Sequence, residues 1–238
     1  MLNQRRDMPN DYFQFKRFTV RHDRCAMKVG TDGTLLGAWA SGGRRILDIG
    51  TGTGLIALMM AQRFAEAELT GIDIDSQACQ QARENVEASP FSDRIDIREG
   101  DVRLFSADRP YDAIVSNPPF FVRSLECPDE QRTQARHATS LSYSALMQSA
   151  WRLLADDGCF SLVVPADCKS LLEGEAVLTG FFKQRECAVK TTPRKLPRRY
   201  LLSFGKHSKE LERSEGIIET SPNVRSEWYQ QLTKDFYL

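Results

Sequence analysis

Apolar and polar positions along this chain follow two alternating periods. From Arg45 onward, short apolar runs suited to buried strands are each followed by a turn and then a stretch with helical spacing. The runs Ile46–Ile49, Leu69–Asp73, Ile95–Ile97, Ala113–Val115 and Cys159–Val164 predict five strands. Between them, Leu55–Phe64, Ser76–Ala88 and Ser142–Leu154 predict helices, with Ser76 placed to cap the second. Strands alternating with helices at this spacing imply a parallel sheet covered on both faces. Beyond Pro165 a helical pattern runs to about Phe182. Two further strands, Glu186–Thr191 and Tyr200–Phe204, flank a basic turn short enough for an antiparallel pair, which would close the sheet with a reversed edge strand.

The two ends of the chain differ from this middle. In residues 1–43, Phe13, Phe15, Phe18 and Val20 nearly alternate with polar or basic residues, as in a half-buried hairpin. A turn-rich segment, Lys28–Thr34, then leads into a short helix at Leu35–Trp39. Residues 44–205 form the main domain on this reading. Residues 206–221 are polar and Glu-rich and read as a linker, and Val224–Leu238 carries Trp228, Leu232, Phe236 and Tyr237 at helical spacing, so it should pack back on the domain.

Lys plus Arg and Asp plus Glu balance at 32 each, so any nucleic-acid surface must come from local clustering, not bulk charge. Lys16, Arg17, Arg21 and Arg24 form one such cluster; Arg194, Lys195, Arg198 and Arg199 form another, and both also fit ordinary solvated faces. The six cysteines contain no C-x-x-C pair, which favours reduced core thiols over zinc or disulfides. No apolar run reaches membrane-spanning length and residues 1–10 carry no signal-peptide core, so a cytoplasmic protein is expected.

The chemistry concentrates at the predicted strand ends, where parallel sheets bind ligands. Gly50-x-Gly52-x-Gly54 links the first strand to its helix, as phosphate-binding loops also do, but Asp48 on that strand is unwelcome beside a pyrophosphate. A carboxylate there suits a ligand bearing an ammonium and a sulfonium. Asp73, ending the second strand, can accept from both hydroxyls of a ribose, and Asp101, after the third, from an adenine amine; singly, each could be a helix-cap or loop carboxylate. The fourth strand stops at Asn117-Pro118-Pro119-Phe120. Two prolines stiffen the corner and leave carbonyls unpaired, so the Asn117 amide oxygen and the Pro118 carbonyl can accept both hydrogens of a planar NH₂ while Phe120 stacks on its ring.

Asp48–Gly54, Gly71–Asp73, Gly100–Val102 and Asn117–Phe120, in that order, resemble the class I S-adenosylmethionine-dependent methyltransferases that act on exocyclic or amide nitrogen. The leader Phe15–Phe18, the segment Lys28–Trp39, the pair Arg136-His137 and the closing Asp235–Leu238 are more narrowly similar to the bacterial tRNA adenine-N6 methyltransferase family. That family modifies the adenine 3′ of the anticodon in a valine tRNA. The resemblance implies a Rossmann-like α/β fold with a seven-stranded, mostly parallel sheet whose last strand is antiparallel. It also implies S-adenosylmethionine as cofactor and tRNA as partner. No metal is expected from the cysteine and histidine spacing, and a monomer is the expectation for an oligomeric state that the sequence leaves open. The resemblance further implies that Lys28, Gly30, Thr31 and Asp32 fold over the cofactor and that Val102 joins the acids in binding it.

Segment 122–139 matches no pattern beyond Arg136-His137, so roles there, including proton transfer by His137, stay open. The same corner serves DNA adenine, rRNA guanine and protein glutamine in other methyltransferases. A DNA enzyme would be expected to bring a target-recognition domain and a glutamine enzyme a helical leader, and no segment here suits either. A nicotinamide oxidoreductase would explain the glycine loop and Asp73 but leaves Asp48 and Asn117–Phe120 without roles. A non-catalytic RNA-binding module is the remaining alternative.

Overall fold

A computed structural model describes residues 11–25, 28–118 and 141–238. A hairpin of β1 (Tyr12–Gln14) and β2 (Thr19–Arg21) precedes α1 (Thr31–Trp39). The alternating part comprises β3 (Arg45–Ile49), α2 (Leu55–Arg63), β4 (Glu68–Asp73), α3 (Ser76–Glu87), β5 (Ile95–Glu99), β6 (Tyr111–Ser116), α4 (Tyr143–Leu153), β7 (Leu154–Pro165) and α5 (Lys169–Thr179). It is followed by β8 (Phe182–Lys190), β9 (Arg199–Gly205), β10 (Glu212–Ile217), a small ladder of β11 (Glu219–Ser221) and β12 (Val224–Arg225), and α6 (Glu227–Thr233).

The main sheet has the order β10-β8-β9-β7-β6-β3-β4-β5, with β7, β6, β3, β4 and β5 mutually parallel and β9 antiparallel to both its neighbours. Side chains alternate between the two faces as a pleated strand requires. Ile46, Val115, Val163 and Leu201 join the core under α1, α2, α3, the hairpin and α6, whereas Leu47, Ile114, Leu162 and Leu202 join the core under α4 and α5.

Three expectations are corrected. The sheet has eight strands, and the reversed strand β9 lies inside it between β7 and β8. The eighth strand, β10, comes from the stretch expected as a linker and runs parallel along the outer edge of β8. Its first four residues, Glu212–Glu215, are exposed, so side-chain polarity gave no sign of a strand; backbone pairing holds it, with a Lys190–Glu215 ion pair of 2.7 Å beside it. Third, Asp75 caps α3 in place of Ser76, its side chain accepting from the backbone N–H of Gln77 and Ala78.

The hairpin buries Phe15, Phe18 and Val20 and is fastened by polar groups on α3. The Asn85 amide accepts from the Arg21 N–H (2.9 Å) and donates to the carbonyls of Arg21 and Thr53 (2.9 Å each), joining the hairpin to the loop that follows β3. Gln81, one turn earlier, accepts from the Arg24 N–H. Asn85→Ala takes the partner from three backbone groups, one bond buried and two part-buried, and should therefore cost about 2–4 kcal/mol, at about 1–3 kcal/mol for each group left buried and unpaired. Urea unfolding would show it, and an unchanged midpoint would mean that water replaces the amide without loss.

Candidate active site

The β3–α2 loop builds the floor of the site. Its Gly50 and Thr51 N–H groups both donate to the Ile72 carbonyl at the end of β4, which curls the chain back under the sheet edge. Gly50 and Gly52 hold φ of +72° and +54°, and a Cβ on either would project into open space with nothing within 4 Å. The left-handed conformation favours glycine, and the space is a cradle that a ligand can fill. Gly54, also left-handed, is the N-cap of α2 and packs on Ala82, so its role is to start the helix.

Two cavities open from this floor. One, of about 260 Å³, is lined by Gly50, Gly52, Asp73, Ile74, Ala78, Asp101, Val102, Asn117 and Pro118 among others. The second, of about 270 Å³, is lined by Lys28, Gly30, Thr31, Asp32, Gly50, Gly52, Asn117 and Arg199 among others. Gly50, Gly52 and Asn117 belong to both walls, so the two form one elongated crevice with Asn117 at its waist.

Asp73 is fixed in place: Oδ2 accepts from the Gly52 N–H at 2.9 Å and Oδ1 from the Asp75 N–H at 3.0 Å. Each carboxylate oxygen keeps a second lone pair for a ligand hydroxyl. Asp101 also reaches the wall, but its carboxylate is gripped by the Arg103 guanidinium, whose hydrogen bonding holds its pKa below the usual range. Any ligand amine would share that carboxylate with Arg103.

Asp48 does not reach the wall. It is buried beneath the loop, where Oδ2 accepts from the Thr51 hydroxyl at 2.7 Å. Burial lifts its pKa to about 7, opposed by hydrogen bonds from Thr51 and the Ala57 backbone. Between about pH 4 and pH 7 the folded chain thus holds a proton that the unfolded chain releases, so this group's contribution to stability falls as pH rises through that window and is flat above it. Asp48→Asn should flatten that slope in denaturant unfolding; a slope surviving in the variant would locate the titration elsewhere.

Asn117 follows directly on β6, whose last residue, Ser116, is locked to β3 by its hydroxyl bond to the Ile49 carbonyl at 2.9 Å. The Asn117 Oδ1 is buried and meets no donor among the described residues. A shielded acceptor at the waist of a crevice is costly unless something donates to it. Pro118 is buried beside it; Phe120, Arg136 and His137 lie outside the described residues.

A family model described as the methyltransferase small domain matches residues 34–195. A curated tRNA1(Val) (adenine(37)-N6)-methyltransferase from Phocaeicola vulgatus is 50% identical over 233 residues, covering 97% of this chain and 99% of the relative. The chain belongs to that methyltransferase family. A second relative of the same description, from Bacteroides thetaiotaomicron, is 46% identical over 97% of this chain and 99% of its own. A crystal structure of a predicted O-methyltransferase from Agrobacterium tumefaciens shares the fold, with a TM-score of 0.68 at 21% identity over 86% of this chain and 96% of the other.

In this methyltransferase the basic residues do not act as one surface. Arg199 turns into the second cavity and pairs with Asp32 at 2.8 Å, so it belongs to the crevice wall as much as to any outer face. Arg24 pairs with Glu84, Arg17 lies over the Phe91 ring, and the Lys16 ammonium donates to the Lys234 carbonyl. Arg194, Lys195 and Arg198 are exposed at the β8–β9 turn, on the same sheet edge as Asn117, and form no ion pair among the described residues. Sequence patterning missed the contributions of Ile74, Asp75, Arg103 and Cys25 to the first cavity; their residue types gave no signal outside the folded context.

Proposed function

We propose that this methyltransferase transfers the methyl group of S-adenosylmethionine to the exocyclic N6 amine of an adenine in tRNA, the adenine 3′ of the anticodon in a valine tRNA. The observation that carries the reading is the buried Asn117 Oδ1, which meets no donor among the described residues and stands where the two cavities meet. The curated relatives' names supply the substrate.

The crevice fits the cofactor. The glycine cradle leaves room for a closely approaching ligand, Asp73 presents two anchored acceptors for a ribose diol, and Ile74, Ala78 and Val102 offer apolar contact for a base. At the other end Lys28 and Arg199 suit a carboxylate, and Asp32 suits an ammonium. When bound, S-adenosylmethionine supplies an electrophilic methyl group on a sulfonium.

An adenine amine is a weak nucleophile because its lone pair is delocalised into the ring. Accepting one N–H at Asn117 Oδ1 and the other at the Pro118 carbonyl draws that lone pair back onto nitrogen and holds it in one direction. Positioning of this kind accounts for up to about 7–11 kcal/mol of a barrier, so no strong base is needed before transfer. The proton displaced from nitrogen leaves to solvent afterwards.

Residues 1–43 contribute a cofactor-facing segment and a basic surface in this reading, residues 44–205 the catalytic domain, and residues 206–238 a buttress. In this reading the enzyme acts in the cytoplasm, where its tRNA substrate is found. No helix among the described residues is long and apolar enough to cross a membrane. Mass spectrometry of nucleosides and of ribonuclease fragments from valine tRNA incubated with enzyme and cofactor tests the assignment. N6-methyladenosine at the single expected position supports it, and methylation of guanine or of no nucleoside removes it.

A further inference from the structure

We propose that Leu196, at the tip of the β8–β9 hairpin, is a wedge that enters the RNA stack in place of the extruded adenine. The inference rests on the methyl-transfer reading above for the identity of the base, and on separate observations for the wedge. Leu196 is 84% exposed. Solitary exposed leucines are common and need no explanation. This one differs in what carries it, what surrounds it and where it stands.

The turn that carries it is braced from several directions. The Lys195 N–H donates to the Thr192 carbonyl at 3.1 Å, and the Arg198 N–H to Val189 at 3.0 Å. From outside the hairpin, Glu219 donates to the Thr191 carbonyl at 2.9 Å and Ala166 to that of Arg198 at 3.0 Å. Pro193 and Pro197 fix φ on either side. The braced backbone holds the tip in one place, as a group that must push between bases requires.

Its immediate surroundings are Arg194, Lys195 and Arg198, none in an ion pair among the described residues, whereas Lys190 and Arg199 at the hairpin base are each matched by an acid. Apolar residues set among free cations are how proteins insert into a nucleic-acid stack while holding the adjoining phosphates. The location agrees in direction. At about 4.8 Å per strand β9 and β8 lie roughly 10–14 Å to the side of β6. The register also carries the turn outward, since Ser116 is level with Leu162 but Arg199 with Pro165, which adds about 10 Å along the strands at about 3.3 Å per residue. The tip therefore stands outside and to one side of Asn117, and a base swung out of its stack toward Asn117 leaves its gap on that outer side for the leucine to fill.

The test uses the full chain and an anticodon-type RNA hairpin with 2-aminopurine next to the target adenine, whose fluorescence rises when its neighbouring base leaves the stack. Wild-type protein should raise the signal, and Leu196→Met should match it. Leu196→Ala should bind the hairpin with less than half the signal, melt at the wild-type temperature, and lower kcat on the adenine-containing hairpin about tenfold, the order expected from the lost burial of one leucine side chain. On an unstructured single strand Leu196→Ala should equal wild type. Leu178→Ala, equally exposed but at the far end of α5, should change nothing.

A wild-type signal retained by Leu196→Ala overturns the proposal, as does the absence of any signal with wild type. Methylation of the adenine hairpin at wild-type rate by Leu196→Ala overturns the wedge and leaves the methyl-transfer reading intact. A Leu196-dependent signal without methylation of any adenine does the reverse.

Discussion

Asn117→Ala is expected to lower kcat by about two to three orders of magnitude, the usual loss when one preorganised polar contact to a reacting group is removed. Affinity for S-adenosylmethionine should change little, because in the cofactor-facing wall Asn117 is one contributor among many. The fold should hold as well: the lost oxygen is buried and meets no donor among the described residues, so its removal breaks no internal bond there. Single-turnover methyl transfer beside calorimetric cofactor titration separates the two effects. If cofactor affinity falls and single-turnover rate does not, Asn117 is a wall of the cofactor site and the adenine amine is held elsewhere.

Asp73→Ala should have the opposite signature. The carboxylate is anchored by two backbone N–H groups, and on the proposed reading it receives two ribose hydroxyls, each such bond to a charged group being worth about 1.5–3 kcal/mol. Cofactor affinity is expected to drop about 100-fold or more, with kcat at saturating cofactor close to wild type. Asp73→Asn should fall between the two, since an amide keeps one acceptor but turns a donor toward the Gly52 or the Asp75 N–H. Equal affinity in Asp73→Ala and wild type would show that the ribose is held by other groups.

The inner parallel strands were legible because they are buried on both faces and read as apolar runs, as at Ala113–Val115 and Leu162–Val164. Ligand residues at their carboxyl ends follow from the topology itself, which is why Gly50, Gly52, Asp73 and Asn117 meet. Edge strand β10 was not legible: backbone pairing alone can hold an edge, and Glu212–Glu215 look like any solvated tract. Nor could the sequence decide Arg199, because the register of β9 against Pro165 determines that its side chain enters the crevice instead of joining Arg198 outside. Asp48 illustrates a third limit. Its position two residues before Gly50 is visible, but whether the carboxylate faces ligand or the underside of the loop depends on how Thr51 turns.

The seam beside the second cavity has a consequence for how the enzyme matures. The Lys16 N–H donates to the Phe236 carbonyl, the Lys16 ammonium reaches Lys234 218 positions along the chain, and Phe15 lies stacked between Phe18 and Tyr237. Contacts so distant in sequence give no stabilisation until a very long loop has closed, so the sheet can assemble first and this seam last. A polypeptide clipped within residues 222–238 should then retain its central sheet by circular dichroism and keep the hairpin docked at Arg21 and Arg24 through Asn85 and Gln81, losing only the Lys16 and Phe15 contacts. Damage at that end would therefore loosen one seam of the molecule without unfolding it.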